Sequence, residues 1–461
     1  MNSKVDKDLE RINIKRLKGT VDFDDLIPCT VIINNSSVLY KKLKYSIVSC
    51  LTEKLDFQSF SLFSPKASTS YYDLTLPTSN PVSLSQKNLD NNIFKYPYHF
   101  TEKSDGIRYY LLFFTYNRVQ MCIMIDRKWN MFLIDMFVCD EQLFDYSLFD
   151  GELVERTVEY QKKNNSVTLI KRNIFMVFDT LVYKGKNVMS QQLPWRIRKY
   201  ELHFKDYDSN RLYSNSTIQS LKQKIHALNY SQCNFYNPNI INQLVIENKK
   251  HYEYTRDNAL HDKLSSFNHN RHKRDGLVFT PSRLPINIGK QNTLFKWKKD
   301  HTIDLLFGIE KIRESLFFCF LYGMQTMEEK QQIEPMNRLK MDIHGHNVHL
   351  VFVINISTEM YTILSSLNHN KKKKSNANMK KRGLMVGEFN IVKVTKGSPE
   401  GEPISKLQDI GAATIYVLLE LVKIRKDKLH PNHYQTVCNS IKDSIENVQF
   451  EALLNCQTNE P

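Results

Sequence analysis

Glycine is scarce in this chain, at 14 of 461 residues, so each glycine present marks a position worth reading. The eight cysteines, at 29, 50, 122, 139, 233, 319, 438 and 456, are scattered with no C-x-x-C pair. That spacing supports neither a disulfide framework nor a zinc ribbon. Long apolar runs are missing too. The stretch 316–322 is far too short to span a bilayer. The opening MNSKVDKDLERINIKRLKG is charged and lacks the apolar core of a secretory signal. No internal repeat is visible. With 41% hydrophobic and 25% charged residues, the chain has enough apolar mass for a sizeable core. The expectation is a soluble, intracellular protein of two or three domains that does not engage a membrane.

What is present is basic charge. Sixty-four Lys and Arg face 49 Asp and Glu, a formal charge of +15. Such an excess suits a polyanionic partner such as nucleic acid or nucleotide. It is densest at 371–374 and 380–382, an Asn-rich stretch that reads first as a solvated loop. RNA contact and nuclear import are the alternatives for it. His344, His346 and His349 are close enough in sequence to hold a metal. A polar strand or loop is the favoured reading.

Periodicity gives a coarse map. Residues 77–84, PTSNPVSL, are turn-rich, and strands dominate from about 97 to 185. The stretch 109–114 is apolar throughout, as a strand buried on both faces would be. Stretches 119–125 and 131–137 flank the polar tip DRKWN and read as a hairpin. Another strand covers 174–183. Ile218, Leu221, Ile225 and Leu228 share a helical face. A polar loop at 262–275 leads into strands at 277–279 and 293–298. Near residue 300 the character changes, with strand-like stretches at 303–307, 348–354, 387–394 and 416–424. Val437, Ile441, Ile445 and Val448 form a final helical stripe after Pro431-Asn432. The fold class expected is α+β, with a first domain at 1–300, a β domain at 301–430 and a closing helix and tail at 431–461.

Three Asp-Gly pairs stand out: Asp105-Gly106, Asp150-Gly151 and Asp275-Gly276. Singly, each reads as a hairpin turn, because Asp-Gly readily takes the positive φ of tight turns. Their flanks suggest more. They read Lys103-Ser-Asp-Gly-Ile-Arg108, Phe149-Asp-Gly-Glu152 and Arg274-Asp-Gly-Leu-Val-Phe279, each against an apolar strand. The strand FMVFD ends at Asp179, and LFKWK sets Lys296 and Lys298 on one strand face by period-2 alternation. Two adjacent lysines are unfavourable unless an anion lies over them, and phosphate is the natural occupant.

These five stretches, in this order, resemble motifs I, III, IIIa, IV and V of the covalent nucleotidyltransferases, the superfamily of mRNA capping enzymes and polynucleotide ligases. Lys423-Ile-Arg425-Lys-Asp427-Lys428 resembles motif VI. The likeness runs from about residue 77 to 450. It is closer to the mRNA guanylyltransferases, because Asp275 stands where ligases usually carry Glu. The continuation of motif V through Asp304, the entry segment at 81–84 and the ending through Pro431-Asn432 agree with that likeness. The pattern departs from the family at Lys423, where arginine is common, and a Trp often found upstream of motif VI is not seen.

The resemblance implies a nucleotidyltransferase domain of antiparallel sheets with helices, followed by an OB-fold barrel carrying a basic insertion near 360–385. It implies a two-step reaction in which GMP passes from GTP to a lysine and then to the 5′-diphosphate end of RNA. Lys103 would be the nucleophile. A free lysine is neutral about once in a thousand near pH 7.4, so its pKa must be lowered by burial or nearby cations. Arg108 would contact ribose or phosphate, and Glu152 would accept from the ribose hydroxyls. Phe178 would stack on guanine. Asp275 would bind a divalent cation, Mg²⁺ or Mn²⁺. Lys296 and Lys298 would hold the α-phosphate. Arg425, Asp427 and Lys428, joined by Asp304, would orient the β,γ-phosphates as the second domain closes. There is no His-Cys-x5-Arg phosphatase loop and no glycine-rich methyltransferase loop. A separate RNA 5′-triphosphatase is therefore expected, and the resemblance implies the phosphorylated tail of RNA polymerase II as a partner and a nuclear location. An ATP-dependent ligase and a non-catalytic RNA-binding relative are the alternatives.

Overall fold

A strand that is apolar on both faces needs cover on both, and residues 109–114 have it: all six are at most 2% exposed. The even-numbered side chains, Tyr110, Leu112 and Phe114, pack with Leu39, Leu43 and Ile47 of a helix on one face. The odd-numbered ones, Tyr109, Leu111 and Phe113, pack with Ile197, Tyr200 and Phe204 of a helix on the other.

The computed structural model describes residues 31–33, 35–53, 56, 76–134, 141–161, 167–204, 233–235, 245–255, 272–313, 316–327, 330–335, 339–343, 346–355, 385–410, 414–425 and 431–454. The chain divides into two units. One is Met1–Val82, Asn91–Trp297 and Cys456–Pro461, and the other is Ser83–Asp90 and Lys298–Asn455.

In the first unit the elements are β1 (Val31–Ile33), α1 (Val38–Thr52), β2 (Ser79–Ser83), β3 (Tyr98–Ser104), β4 (Ile107–Tyr116), β5 (Val119–Asp126), β6 (Met131–Ile134), β7 (Ser147–Gln161), β8 (Val167–Tyr183), β9 (Lys186–Asn187), α2 (Leu193–Phe204), β10 (Cys233–Phe235), β11 (Val245–Asn248), β12 (Tyr252–Glu253), β13 (Arg274–Pro281) and β14 (Gly289–Lys298). Nine strands form one sheet in the order β10-β1-β6-β5-β4-β7-β8-β11, with β9 beside β8. Five form a second, β12-β3-β13-β14-β2. Helix α1 starts where Ser37 Oγ accepts from the Tyr40 amide at 3.1 Å. Its residues Leu39, Leu43, Ile47 and Leu51, four apart, form the buried stripe.

The second unit holds β15 (Thr302–Arg313), β16 (Leu316–Met327), β17 (Lys330–Pro335), β18 (Leu339–Ile343), β19 (His346–Asn355), β20 (Met385–Lys396) and β21 (Thr414–Ile424), then α3 (Tyr434–Ile445) and α4 (Phe450–Leu454). Its seven-stranded sheet runs β17-β16-β15-β20-β21-β19-β18. Ile303, Leu305 and Phe307, every second residue of β15, point into one core that they share with Phe389, Val417 and the α3 residues Val437 and Ile441. Among the described residues no helix is long and apolar enough to cross a membrane.

Several expectations change. Two of the three sheets are mixed, because β11 runs parallel to β8 and β19 parallel to β21. Asp150-Gly151 and Asp275-Gly276 are not turns but lie inside β7 and β13. Helices α1 and α2 were not expected from the sequence. The final helix ends at Ile445, so Val448 is buried beyond it. The helix expected around 218–228, most of the polar loop from 262 and the basic stretch 371–382 lie outside the described residues.

Candidate active site

The bend at Asp105-Gly106 carries the chain from β3 in the smaller sheet to β4 in the larger one. Its glycine is required by contact. A Cβ at Gly106 would lie 2.4 Å from the Leu153 carbonyl oxygen and 2.8 Å from side-chain atoms of Glu152 and Val154. Close approach brings the bend against β7 and sets Lys103 and Arg108 on either side of it.

Lys103, next to last in β3, is half-buried, and its Nζ donates to Asp275 Oδ1 at 2.6 Å. A β-bulge creates this pairing. Arg274 is opposite Ser104 and Gly276 is opposite Lys103, so Asp275 is the extra residue. A bulge turns one side chain out of the strand's alternation, here towards the lysine. The Asp105 amide donates to the Lys273 carbonyl at 2.9 Å and pins the bend to the same strand end.

Arg108 and Glu152 are directly opposite on β4 and β7 and so share a face. Arg108 Nε donates to Asp150 Oδ1 at 2.9 Å, and Nη1 donates to the Ser79 carbonyl at 2.6 Å. Burial works against the guanidinium charge, but the Asp150 carboxylate more than offsets it and the Arg108 pKa is raised. Phe178 is the extra residue of a second bulge. Asp150 is opposite Asp179 and Gly151 is opposite Val177, which leaves Phe178 unmatched. Phe175, by contrast, is fully buried, with its ring on Gly151. The Phe178 ring centroid lies 5.4 Å from the Arg108 guanidinium carbon and 5.6 Å from Lys249 Nζ, within cation–π range of both.

The segment 249–251 bridges the two sheets. The Lys249 amide donates to the Val177 carbonyl at 2.7 Å, and Thr101 Oγ1 donates to the Lys250 carbonyl at 2.8 Å. Lys249 is 3% exposed and its Nζ lies 3.3 Å from Glu152 Oε2. His251 Nε2 donates to the Phe178 carbonyl at 3.2 Å. At the β5–β6 hairpin tip, Asp126 Oδ1 accepts from the Lys128 and Asn130 amides at 2.8 Å and holds Arg127 and Lys128 in place.

These elements enclose a cavity of about 450 Å³ lined by Lys103, Arg108, Glu152, Phe178, Lys249, His251, Arg127 and Lys128, with apolar Val278, Ile286 and Leu294. Four residues singled out from the sequence, Lys103, Arg108, Glu152 and Phe178, thus line one cavity, with Asp275 on the lysine. Lys296 is half-buried and shares a strand face with Leu294 by alternation, but it does not line the cavity. Lys298 begins the second unit. Lys249, His251, Arg127 and Lys128 were missed by sequence reasoning. The only signal for the first two was a short Lys-Lys-His run after a strand, and the tip read as an ordinary hairpin loop.

In the second unit Asp304 and Arg425 meet. Arg425 Nη1 lies 3.2 Å from Asp304 Oδ1 and 3.2 Å from Glu388 Oε2, and Lys423 Nζ lies 3.1 Å from the same Glu388 oxygen. Burial opposes the Glu388 charge, but Lys423 and Arg425 override it and hold its pKa below the usual value. Asn432 grips Asp304 from both sides, with backbone and side-chain hydrogen bonds of 2.7 and 2.6 Å. Asp427 and Lys428 lie outside the described residues.

A lysine, a carboxylate and an aromatic ring between cations, enclosed by the mixed nine-stranded sheet and the smaller five-stranded one, define a covalent nucleotidyltransferase. Residues 33–300 match the family model described as mRNA capping enzyme, catalytic domain, and the chain belongs to that family. It is 25% identical over 415 residues to the mRNA-capping enzyme subunit alpha of Saccharomyces cerevisiae, covering 82% of this chain and 78% of that one. It is 24% identical over 424 residues to the subunit of the same name from Eremothecium gossypii, with the same coverage. Among solved structures, the ATP-dependent DNA ligase of bacteriophage T7 in complex with ATP aligns over 75% of this chain and 98% of its own, at 13% identity. Its TM-score of 0.28 is too low for any conclusion to rest on it.

Proposed function

We propose that this protein is a GTP:RNA guanylyltransferase that forms mRNA caps through a lysyl-N–GMP intermediate. The observation that carries the reading is the convergence of Lys103, Arg108, Glu152 and Phe178 on one cavity. In the first step the Lys103 amine, having lost a proton, attacks the α-phosphorus of GTP. An N–P bond forms, and the P–O bond to the β-phosphate breaks to release pyrophosphate. In the second step the terminal phosphate oxygen of 5′-diphosphate RNA attacks the adduct, and the N–P bond breaks to give GpppRNA and free lysine.

Glu152 accepts from the ribose hydroxyls, Phe178 stacks on the base, and Arg108 holds ribose or phosphate. Lys296 and Lys298 neutralise the α-phosphate. A divalent cation suits Asp275, a hard oxygen donor beside Lys103. Among the described residues no group of three or more His, Cys, Asp or Glu could cage a metal, so the fit is to an ion shared with nucleotide phosphates. When bound, Mg²⁺ or Mn²⁺ supplies positive charge to the transferring phosphoryl group. The second unit is read as an OB-fold domain whose Arg425, Asp304, Asp427 and Lys428 orient the β,γ-phosphates during the first step. A separate RNA 5′-triphosphatase supplies the diphosphate end, the enzyme works in the nucleus, and it engages the phosphorylated tail of RNA polymerase II. The basic excess supports binding of RNA.

The test is incubation with α-radiolabelled GTP or ATP and a divalent metal, without RNA. GTP is expected to label the wild type covalently and to leave Lys103→Ala unlabelled. Label from ATP alone would overturn the reading in favour of a ligase, and no label from either would favour a non-catalytic relative.

A further inference from the structure

His251 lines the cavity and donates from Nε2 to the Phe178 carbonyl, an atom that can only accept. In the neutral ring this fixes the tautomer: the proton is on Nε2, and Nδ1 carries a lone pair. Nδ1 is shut off from solvent and has no hydrogen-bond partner among the described residues. An unpaired buried acceptor is costly, and each such atom in a native structure asks for an explanation. The ring also stays neutral. Burial, with help from His99 and Lys249, brings its pKa down to about 3.

We propose that His251 is a base-specificity residue whose Nδ1 accepts a hydrogen bond from the N1–H and 2-amino edge of guanine. The proposal rests on the guanylyltransferase reading. It includes a small turn of the imidazole towards the cavity when the base stacks on Phe178. Two residues upstream, the Lys249 amine offers a donor beside the same ring. A donor and a neutral acceptor on one segment match an edge that carries an acceptor at C6 and donors at N1 and C2. Adenine reverses the pattern, with a donor at C6, an acceptor at N1 and no donor at C2. In the same pose it would leave Nδ1 unpaired and set an amino group against an amine. Sites that hydrogen-bond a substrate N–H reject analogues lacking it far more strongly than apolar pockets discriminate by size.

Two substitutions separate reading the base from bracing Phe178. In His251→Gln the side-chain amide reaches the Nε2 position, so it keeps a donor for the Phe178 carbonyl and loses the acceptor at Nδ1. In His251→Asn the amide oxygen occupies the Nδ1 position, so the acceptor stays and the brace is lost. The readout is the ratio of kcat/KM for covalent labelling with GTP to that with ATP. Thermal shift by each nucleotide compares GTP and ATP binding without the covalent step, and the melts report folding. The ratio should fall roughly 10- to 100-fold in His251→Gln. It should stay within about threefold of wild type in His251→Asn. An unchanged ratio in His251→Gln, or an equal fall in both variants, would overturn the proposal while the guanylyltransferase reading stands. A wild type that GTP does not label would overturn both.

Discussion

Adding one methyl group at the Asp105-Gly106 bend should cost more activity than stability. In Gly106→Ala the new Cβ would lie 2.4 Å from the Leu153 carbonyl oxygen, whereas ordinary contact begins at 3.4 Å. The difference, 3.4 − 2.4 = 1.0 Å, is the displacement the bend must make. The obstacle is backbone in a central strand of the larger sheet, so the bend moves and β7 stays. Lys103 lies three residues before the glycine and Arg108 two after it, so both are carried off. Misplacing a reacting group by about 1 Å can cost on the order of 100-fold in rate. Crowding of this kind costs about 1–3 kcal/mol in stability, several degrees of Tm. The assay is the initial rate of covalent GMP labelling beside a thermal melt. Gly289→Ala is the control, because its Cβ would meet nothing within 4 Å but its φ is +87°. It should lose about 1 kcal/mol of stability and keep the labelling rate. A Gly106→Ala protein that labels within twofold of wild type would refute the claim that close approach to β7 sets the geometry of Lys103.

Stability should depend on pH through His251. Its folded pKa, about 3, lies below the unfolded value of 6.5, so the unfolded chain binds the proton first. The contribution is full above pH 6.5 and is lost at about 1.4 kcal/mol per pH unit as the pH falls towards 3. His99 is shifted in the same direction, so the measurement is the difference in denaturation midpoints between wild type and His251→Gln from pH 7 to 5. Equal slopes would contradict it. Next to Lys103 on β3, buried Glu102 meets His272 Nε2 at 2.9 Å. Removing that partner in His272→Ala should cost about 2–3 kcal/mol by chemical denaturation, and a loss under 1 kcal/mol would count against the pair as a tie between β3 and the segment before β13. Arg425→Ala should slow formation of the lysyl–GMP adduct by about 100-fold and leave transfer from preformed adduct to RNA nearly unchanged. Arg425→Lys should recover only part, because lysine keeps the charge beside Asp304 and Glu388 but cannot present a planar fork to phosphate oxygens. An equal loss in both steps would remove Arg425 from the pyrophosphate-releasing step.

Much of the site was legible because its chemistry sits in short, local patterns. Lys103, Arg108 and Glu152 were read from the residues flanking two Asp-Gly pairs, and the cavity brings these three together. The apolar stretch 109–114 announced a strand covered on both faces, although not which helices would cover it. Of these, α1 carried a stripe at 39, 43, 47 and 51 that went unread, whereas α2 gave little local signal, since it carries Trp195 and Leu202 on its exposed side. The glycines were noticed for a turn-forming preference that two of them do not use. Gly151 is small because the Phe175 ring occupies the space of its Cβ, at 2.3 Å.

The sequence by itself determined the chemical inventory and its order: the lysine, the acidic partners, the aromatic strand and the later basic motif, each needing only a few neighbouring residues to be recognised. Only the tertiary structure decided where those groups point. Asp275 reaches Lys103, and Phe178 meets the cations of Arg108 and Lys249, because each is the odd residue of a β-bulge. A bulge belongs to the register between two strands, in one case β3 and β13 far apart in the chain, so no single stretch encodes it. Lys249 and His251 join the cavity for a related reason: their segment is held by hydrogen bonds to Val177 in one sheet and Thr101 in the other.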